Sequence, residues 1–341
     1  YFGTTEQSAM GYLPTELANN QLGWERTEEY NVGVDFGFLN NRINGSIDGY
    51  VRNTDDLLMK RNLPITTGYE FTWQNVGKTR NSGVEIALNT VPVVTKDFRW
   101  TVDLTFGYNK NEIVELFNGK EDSPGNKWFI GEPLYIERLY KYIGVWQKGE
   151  EEEAARYGRE PGNPKIEDVN NNGVYDEGDL HTFNKIPKWT AGLSTGLYYK
   201  NFDLNVYFYT RQKYGQVLAV LTDEVGSTRY NHLNVDFWTP DNPSNACPKP
   251  VITNPQELLK SSDYAYRDLS FIRLKNINLG YTLPKEISKK FYSEKFRMYF
   301  MVENPYTWTK SDYVGLDPEN CNAYTDHRPL TSFVFGVNAT F

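Results

Sequence analysis

The chain has 341 residues and a formal net charge of −8, and its mean hydropathy of −0.62 is polar. The acidic balance argues against a nucleic-acid-binding protein, because phosphate recognition needs a basic face. No segment has the roughly 18 consecutive apolar residues of a membrane helix, whereas a membrane β-barrel stays possible because its alternating strands average out as polar.

Alternating residues predict strands from the first third of the chain onward. In the segment YNVGVDFGFL, every second residue is apolar or aromatic: Tyr30, Val32, Val34, Phe36 and Phe38. Asn40 and Asn41 then predict a two-residue turn into a second strand, RINGSIDGYV. This part of the sequence therefore predicts a β-hairpin.

The same alternation returns in five later segments: RWTVDLTFGYNKN, LSTGLYYKNFDLNVYFYTRQ, RLKNINLGYTL, KFRMYFMVEN and SFVFGVNATF. Lys200 and Asn201 predict a tight turn inside the second of these. We predict an all-β chain of roughly ten to twelve antiparallel strands, most of them near the 9–11 residues with which a tilted strand crosses a bilayer.

The two sides of these strands differ in chemistry, and so do the connections. One side is apolar and aromatic, while the other carries Gly, Thr, Asn and Asp, as expected for a water-filled lumen. Tight turns alternate with long connections at roughly 111–135, 148–187, 212–265 and 306–330. This asymmetry favours part of an outer-membrane β-barrel with long extracellular loops, and the pattern alone leaves a soluble β-sandwich open.

The final strand of the sequence also favours a membrane β-barrel over a soluble β-sandwich. Phe333, Phe335, Val337 and Ala339 share one side, which we expect to face lipid, and the chain ends on Phe341. A soluble domain usually frays at its terminus, so an aromatic last residue favours the membrane interpretation.

Residues 168–179, DVNNNGVYDEGD, have the spacing of a twelve-residue calcium loop. Oxygen donors stand at its ligand positions: Asp168, Asn170, Asn172, the Val174 carbonyl, Asp176 and Asp179. Gly173 stands where such a loop turns sharply. Asp179 departs from the usual Glu, and no long helices flank the loop. We predict a structural Ca²⁺ site that stiffens a loop, and the alternative is an Asn/Asp-rich turn that satisfies its own backbone.

Other candidate sites are weaker. No nucleophile or phosphate-loop motif is present, so we expect no enzymatic activity. A glycosidase is the alternative that the many carboxylates leave open, although nothing singles out two of them as a catalytic pair. Trp128, Trp146 and Trp238 fall in the long connections, where they could stack on sugar rings, lie at the membrane interface or fill the core of a loop. Whether Cys247 and Cys321 form a disulfide is left open by the sequence.

Several segments resemble SusC/RagA-type TonB-linked outer-membrane transporters of the Bacteroidetes. They occur in the family's order over about residues 20 to 341: LGWERTEEYNVGVDFGFLNNRINGSIDGYVRNTDDLL, NVGKTRNSGVEIAL, YIGVWQKGEEE, KIEDVNNNGVYDEGDL, RLKNINLGYTLP, VENPYTWTKSDYVGLDPE and FVFGVNATF. The resemblance implies that residues 1–341 are the C-terminal half of a barrel of about 22 strands. We expect other polypeptide, including a plug domain and the N-terminal strands, to complete that barrel.

The same resemblance implies a function and partners. These are energised import of an oligosaccharide, or in other members a peptide, through the outer membrane, with a SusD-like surface lipoprotein as lid and TonB acting through the plug. An alternative that the residues leave open is a soluble or surface-exposed binding or adhesion module with calcium-stiffened loops. Membrane partitioning separates the two hypotheses.

Overall fold

The computed structural model describes residues 15–218, 221, 236–250, 258–259, 261–313, 315, 317–321 and 329–341. Sixteen strands lie in this part of the chain: Glu16–Leu17 (β1), Arg26–Phe38 (β2), Ile43–Asn62 (β3), Phe71–Val94 (β4), Phe98–Glu115 (β5), Ile136–Tyr140 (β6), Tyr142–Val145 (β7), Pro164–Ile166 (β8), Leu180–Asn184 (β9), Trp189–Tyr199 (β10), Phe202–Gln212 (β11), Gly215–Val217 (β12), Tyr266–Asp268 (β13), Phe271–Thr282 (β14), Lys295–Thr309 (β15) and Ser332–Thr340 (β16). Two short helices, Glu151–Arg156 (α1) and Lys285–Ser288 (α2), accompany them.

One large sheet contains ten of these strands. Its order is β16-β15-β14-β11-β10-β5-β4-β3-β2, and β1 pairs with β4 in parallel. Three two-stranded sheets, β6 with β9, β7 with β8 and β12 with β13, lie in the long connections. The prediction of an all-β antiparallel chain with few helices is therefore confirmed.

The described residues divide into two compact units. The first contains residues 15–32, 49–83 and 110–134, and its buried cluster joins Met59, Ile113 and Leu116. The second contains residues 33–48, 84–109 and the described residues from 135 onward.

Within the second unit, strand register sorts the side chains into an apolar and a polar side. One continuous row runs across six strands through Phe335, Phe300, Leu279, Leu204, Leu197 and Trp100. A row on the opposite side runs through Ser332, Glu303, Asn276, Tyr207, Ser194 and Asp103. Since side chains alternate along a strand, antiparallel pairing in this register keeps the two chemistries apart. Five of the six residues of the apolar row are exposed, Phe335 at 69%, and Leu204 is half-buried, as a lipid-facing side requires.

The connections among β10, β11, β14, β15 and β16 are short at one end and long at the other. Residues 200–201 and 283–294 form the short connections, while 213–270 and 310–331 form the long ones. Lys200 adopts a left-handed conformation, with φ of 51°, as a two-residue hairpin turn requires. The predicted asymmetry holds in this part of the sheet.

Two details differ from the sequence predictions. The β2–β3 turn is longer than the predicted pair Asn40 and Asn41, since it extends from Leu39, which also has a positive φ, to Arg42. Strands β3, β4 and β5 have 20, 24 and 18 residues, about twice the length needed to cross a bilayer.

The two cysteines are not paired with each other, and the helices are short. Cys247 is buried beside Leu259, whereas Cys321 packs against a different cluster around Leu218, and no disulfide joins the two thiols. None of the helices in the described ranges is long and apolar enough to cross a membrane.

Candidate functional site

The polar side of the sheet carries an ion pair that reaches across an intervening strand. Arg297 on β15 donates from Nε to Oδ1 of Asp203 on β11 at 2.9 Å, passing over β14. Gly280 makes this possible, because a Cβ there would lie 2.4 Å from Oδ1 of Asp203. The pair was not predicted from sequence, although Asp203 and Arg297 both occupy polar positions of alternating strands.

The loop of residues 168–179 lies in the connection between β5 and β10 and closes on its own hydrogen bonds. Asp168 accepts bonds from the backbone N–H groups of Asn172 at 3.2 Å and Gly173 at 2.9 Å. Gly173 has φ of 83°, a left-handed conformation that glycine adopts without strain. The sharp turn predicted at this residue is therefore present.

The other two carboxylates of the predicted donor set, Asp176 and Asp179, also accept hydrogen bonds within the loop. Asp179 is fully buried, and its two oxygens accept from the N–H groups of Val169 at 2.8 Å and Asp176 at 3.0 Å. Asp176 in turn accepts from the side-chain amides of Asn170 and Asn172 at 3.4 and 2.6 Å. Val174 makes a backbone contact, its N–H donating to Oδ1 of Asn172 at 2.9 Å. All six predicted positions thus lie in one interlocked loop.

An aromatic stack supports this loop from one side. The Tyr157 hydroxyl donates to Oδ2 of Asp168 at 3.1 Å, and its ring stacks on Tyr175 with centroids 4.6 Å apart. Trp146, at 1% exposure, also stacks on Tyr157, with ring centroids 5.9 Å apart. Burial raises the pKa of the Tyr175 hydroxyl to about 12, so this layer stays neutral at physiological pH.

The electrostatics of Asp168 show two opposed effects. Partial desolvation alone would raise its pKa, but hydrogen bonds from Gly173, Tyr157 and Asn172 outweigh it and hold the pKa below the ordinary carboxyl value. The group is therefore a carboxylate at neutral pH and remains an acceptor.

The donor set of the loop suits a hard cation in kind. It offers three carboxylates, two amide side chains and a backbone carbonyl, which are the oxygen ligands that Ca²⁺ prefers. Within the described ranges, no three His, Cys, Asp or Glu side chains converge into a metal site. A cation here would therefore draw also on the amide and carbonyl oxygens of Asn170, Asn172 and Val174.

The tryptophans of the long connections fill loop cores. Trp146 and Trp238 are 1% and 5% exposed, and Nε1 of Trp238 donates to Oε1 of Gln147 at 2.9 Å. Trp128 packs against the Met59 cluster of the first unit. Of the uses that sequence left open for them, packing inside the loops is the one observed, and sugar stacking by Trp146 or Trp238 is wrong because neither face is accessible.

Comparison with known proteins assigns this architecture. The family model described as "TonB dependent receptor-like, beta-barrel" matches residues 1–304. The chain belongs to this family. TonB-dependent receptors of this type are outer-membrane β-barrel proteins, so the predicted family, fold and outer-membrane location are confirmed, and the soluble adhesion module is disfavoured.

Two curated relatives and one solved structure illustrate the similarity. TonB-dependent receptor P3 of Formosa agariphila is 31% identical over 98% of this chain and 36% of its own length. TonB-dependent receptor SusC of Bacteroides thetaiotaomicron is 32% identical over 95% of this chain and 32% of its own length. The RagAB peptide importer in its open-open state superposes with a TM-score of 0.77 and 27% identity, over 99% of this chain and 37% of that one.

The chain matches only part of these relatives, and the family model that it matches describes their β-barrel. The chain spans about a third of the length of the curated relatives that it matches. The relatives are named as receptors, and the solved neighbour is a transporter. The shared and physically interpretable feature is the barrel wall, with its separated apolar and polar sides.

Proposed function

We propose that this chain forms part of the wall of a TonB-dependent importer that brings an oligosaccharide across the outer membrane. The observation that carries the proposal is the family match over residues 1–304, on a sheet whose register separates an exposed apolar side from a polar one. The polar side offers hydrogen-bonding groups along a path, and the apolar side meets lipid.

The proposed importer works with two partners and catalyses no covalent reaction. A SusD-like lipoprotein would cover the long connections, and TonB would act through a plug domain. The edges of the described sheet, β2 and β16, need pairing partners, because unpaired strand edges are strongly unfavourable in lipid. Further strands of the same transporter would supply them. The chain itself would position and admit cargo without making or breaking covalent bonds.

Uptake in living cells tests the proposal. We compare a strain that lacks the full-length gene with the same strain carrying the gene on a plasmid, and measure the uptake of fluorescent oligosaccharide pools. The same comparison is then made in strains that lack TonB. We expect uptake to need the gene and TonB together. Uptake that needs the gene but persists without TonB would contradict energised import and indicate a passive pore.

Peptide is the second candidate cargo, and the similarity to the RagAB peptide importer favours it. The same strains supplied with labelled peptide pools distinguish the two cargoes. Loss of peptide uptake with normal oligosaccharide uptake would replace the first cargo by the second and leave the transport mechanism unchanged.

We further propose that residues 168–179 bind a structural Ca²⁺ ion. What supports this is the donor set of Asp168, Asn170, Asn172, Val174, Asp176 and Asp179 on one closed loop, with Asp168 held as a carboxylate. Ca²⁺ would tighten a loop that its own hydrogen bonds already close, because a cation offsets the repulsion among three carboxylates.

Protease protection of the intact transporter in detergent tests the calcium proposal. Millimolar Ca²⁺ should slow cleavage within 168–179, and a chelator should reverse the effect. D168N should lose this protection, whereas E177Q, an exposed acid of the same loop outside the donor set, should keep it. Equal cleavage with and without Ca²⁺ in the wild type would reduce the loop to a self-satisfied turn.

A further inference from the structure

We propose that Arg273 locks the described residues of the connection after β11 (within 213–270) and of the connection after β15 (within 310–331) into one body. The element that joins them is a strap, residues 317–321, which lies on the polar side of the sheet. Neither the strap nor its anchor belongs to the candidate cation loop or to the Arg297–Asp203 pair.

The strap is fixed to the sheet by a buried cation. Arg273 on β14 is 2% exposed, and its guanidinium binds the carboxylates of Asp317 and Glu319. Its Nε donates to Oγ1 of Thr307 on β15 at 3.0 Å. A buried guanidinium shared by two carboxylates and a hydroxyl holds its partners firmly, because losing one of them leaves a desolvated charge.

The same strap reaches the connection after β11. Glu319 lies 3.5 Å from Nη2 of Arg211, the next-to-last residue of β11. The Tyr214 hydroxyl donates to the Pro318 carbonyl at 3.2 Å, and the Cys321 thiol contacts Oε1 of Gln216 at 3.4 Å. Glu319 therefore bridges two arginines that project from different strands.

Contacts upstream of the strap link the same two connections again. Lys310 pairs with Asp268 at 2.7 Å, and Nε of Arg267 donates to the Asp312 carbonyl at 3.0 Å. These links are more exposed than the Arg273 anchor, since the Lys310 side chain is 57% exposed. They join the same two connections as the Arg273 contacts but stabilise them less, because exposed ion pairs are weak.

Apolar packing closes the assembly. Leu218, Leu221 and Ala265, all buried and all in the connection after β11, form a cluster. Tyr313 and Cys321 from the connection after β15 pack against it. Two connections separated by the whole of β14 and β15 thus share one core, and Arg273 joins that core to the sheet. A ligand or partner that engages either connection therefore acts on both.

Hydrogen exchange of the intact transporter in detergent tests the lock, and its readout does not depend on the identity of the cargo. In R273Q, we expect amides of both 317–321 and 215–218 to exchange at least tenfold faster than in the wild type. R273K should give a smaller increase in both, because lysine keeps the charge but loses the forked geometry.

Two variants serve as controls. R297Q removes a separate arginine–carboxylate pair of the polar side, Arg297–Asp203, and K310A removes an exposed link; both should leave exchange at 215–218 within twofold of the wild type. If R273Q fails to assemble into a heat-modifiable barrel, the double variant Y214F/E319Q, which keeps the Arg273–Asp317 pair, replaces it. Faster exchange confined to 317–321 in every assembled variant would overturn the proposal, since the two connections would then be independent.

Discussion

The loop 168–179 and the strap 317–321 are both irregular segments rich in Asp and Asn or Glu, yet they are stabilised in opposite ways. The loop closes largely on itself: within 168–179 its longest carboxylate bond, from Val169 to Asp179, spans 10 residues, and Tyr157 lies only 11 residues from Asp168. The strap has partners far away in the chain: Arg273 lies 44 residues from Asp317, and Tyr214 lies 104 residues from Pro318. Local hydrogen bonding makes a segment autonomous, whereas long-range ion pairing makes it a connector between strands.

Removal of Asp317 should break the strap and leave the loop intact. In D317A, Arg273 loses one of its two carboxylates while buried, a change that costs about 3–5 kcal/mol when one partner of a buried pair is deleted. We expect the opening free energy of the strap, measured by hydrogen exchange, to fall by about that amount. D317N, which keeps an acceptor oxygen, should lose less, and exchange within 168–179 should not change.

Removal of Asp179 should give the converse result with a smaller effect. D179A leaves the N–H groups of Val169 and Asp176 without their acceptor, and because both bonds are only partly buried we expect a loss of about 1–3 kcal/mol in total. The loop should exchange faster while the strap keeps wild-type protection. D179N, which retains one oxygen, is the matched control. Faster exchange in the strap as well would show that the loop is less autonomous than its contacts indicate.

This contrast also explains what the sequence could predict. The donor positions of 168–179 are readable because spacing within twelve residues determines which side chains meet. The alternation of the final strand is readable for the same reason, and Phe333 and Phe335 are indeed 71% and 69% exposed. Periodicity and local turn chemistry act over a few residues, so they survive without knowledge of the fold.

The strap could not be predicted, because Arg273 and Asp317 become neighbours only when β14 and β15 pair in their observed register. The same limit applies to Trp146, whose burial depends on Tyr157 and on the packing of the whole connection. The extra length of β3, β4 and β5 was missed as well, because polar runs interrupt the apolar alternation inside these strands, as QNVGKTRNSG does in β4.

The Tyr157 hydroxyl gives a finer test of the loop. Y157F removes the bond to Asp168 but keeps the ring stack with Tyr175, so the loss should be about 0.5–1.5 kcal/mol. Y157A removes bond and stack and should lose more. Both are measured as cleavage rates within 168–179 relative to the wild type. Equal effects of the two substitutions would assign the support to the hydroxyl bond alone, because only Y157A removes the stack.

The smallest expected effect concerns Glu150, beside the same aromatic stack. A backbone bond from the Gln147 N–H, together with Lys165 at 2.8 Å, lowers the pKa of Glu150 below its ordinary value near 4.5. Because the folded state binds this proton more weakly than the unfolded state, the stabilisation is present at neutral pH and is lost as pH falls through the lowered pKa. Its size should stay below about 1 kcal/mol, since the pair is partly exposed.

Tryptophan fluorescence can follow this titration, because Nζ of Lys165 lies 4.0 Å from the Trp146 ring. The wild type should show a transition below pH 4.5 that is absent in E150Q and in W146F. E150Q should also show no pH-dependent change in cleavage near residues 145–166, whereas the strap should respond identically in both proteins. A transition that persists in E150Q would show that another group titrates near Trp146. The aromatic stack, and not the Glu150–Lys165 ion pair, would then be what stabilises this connection.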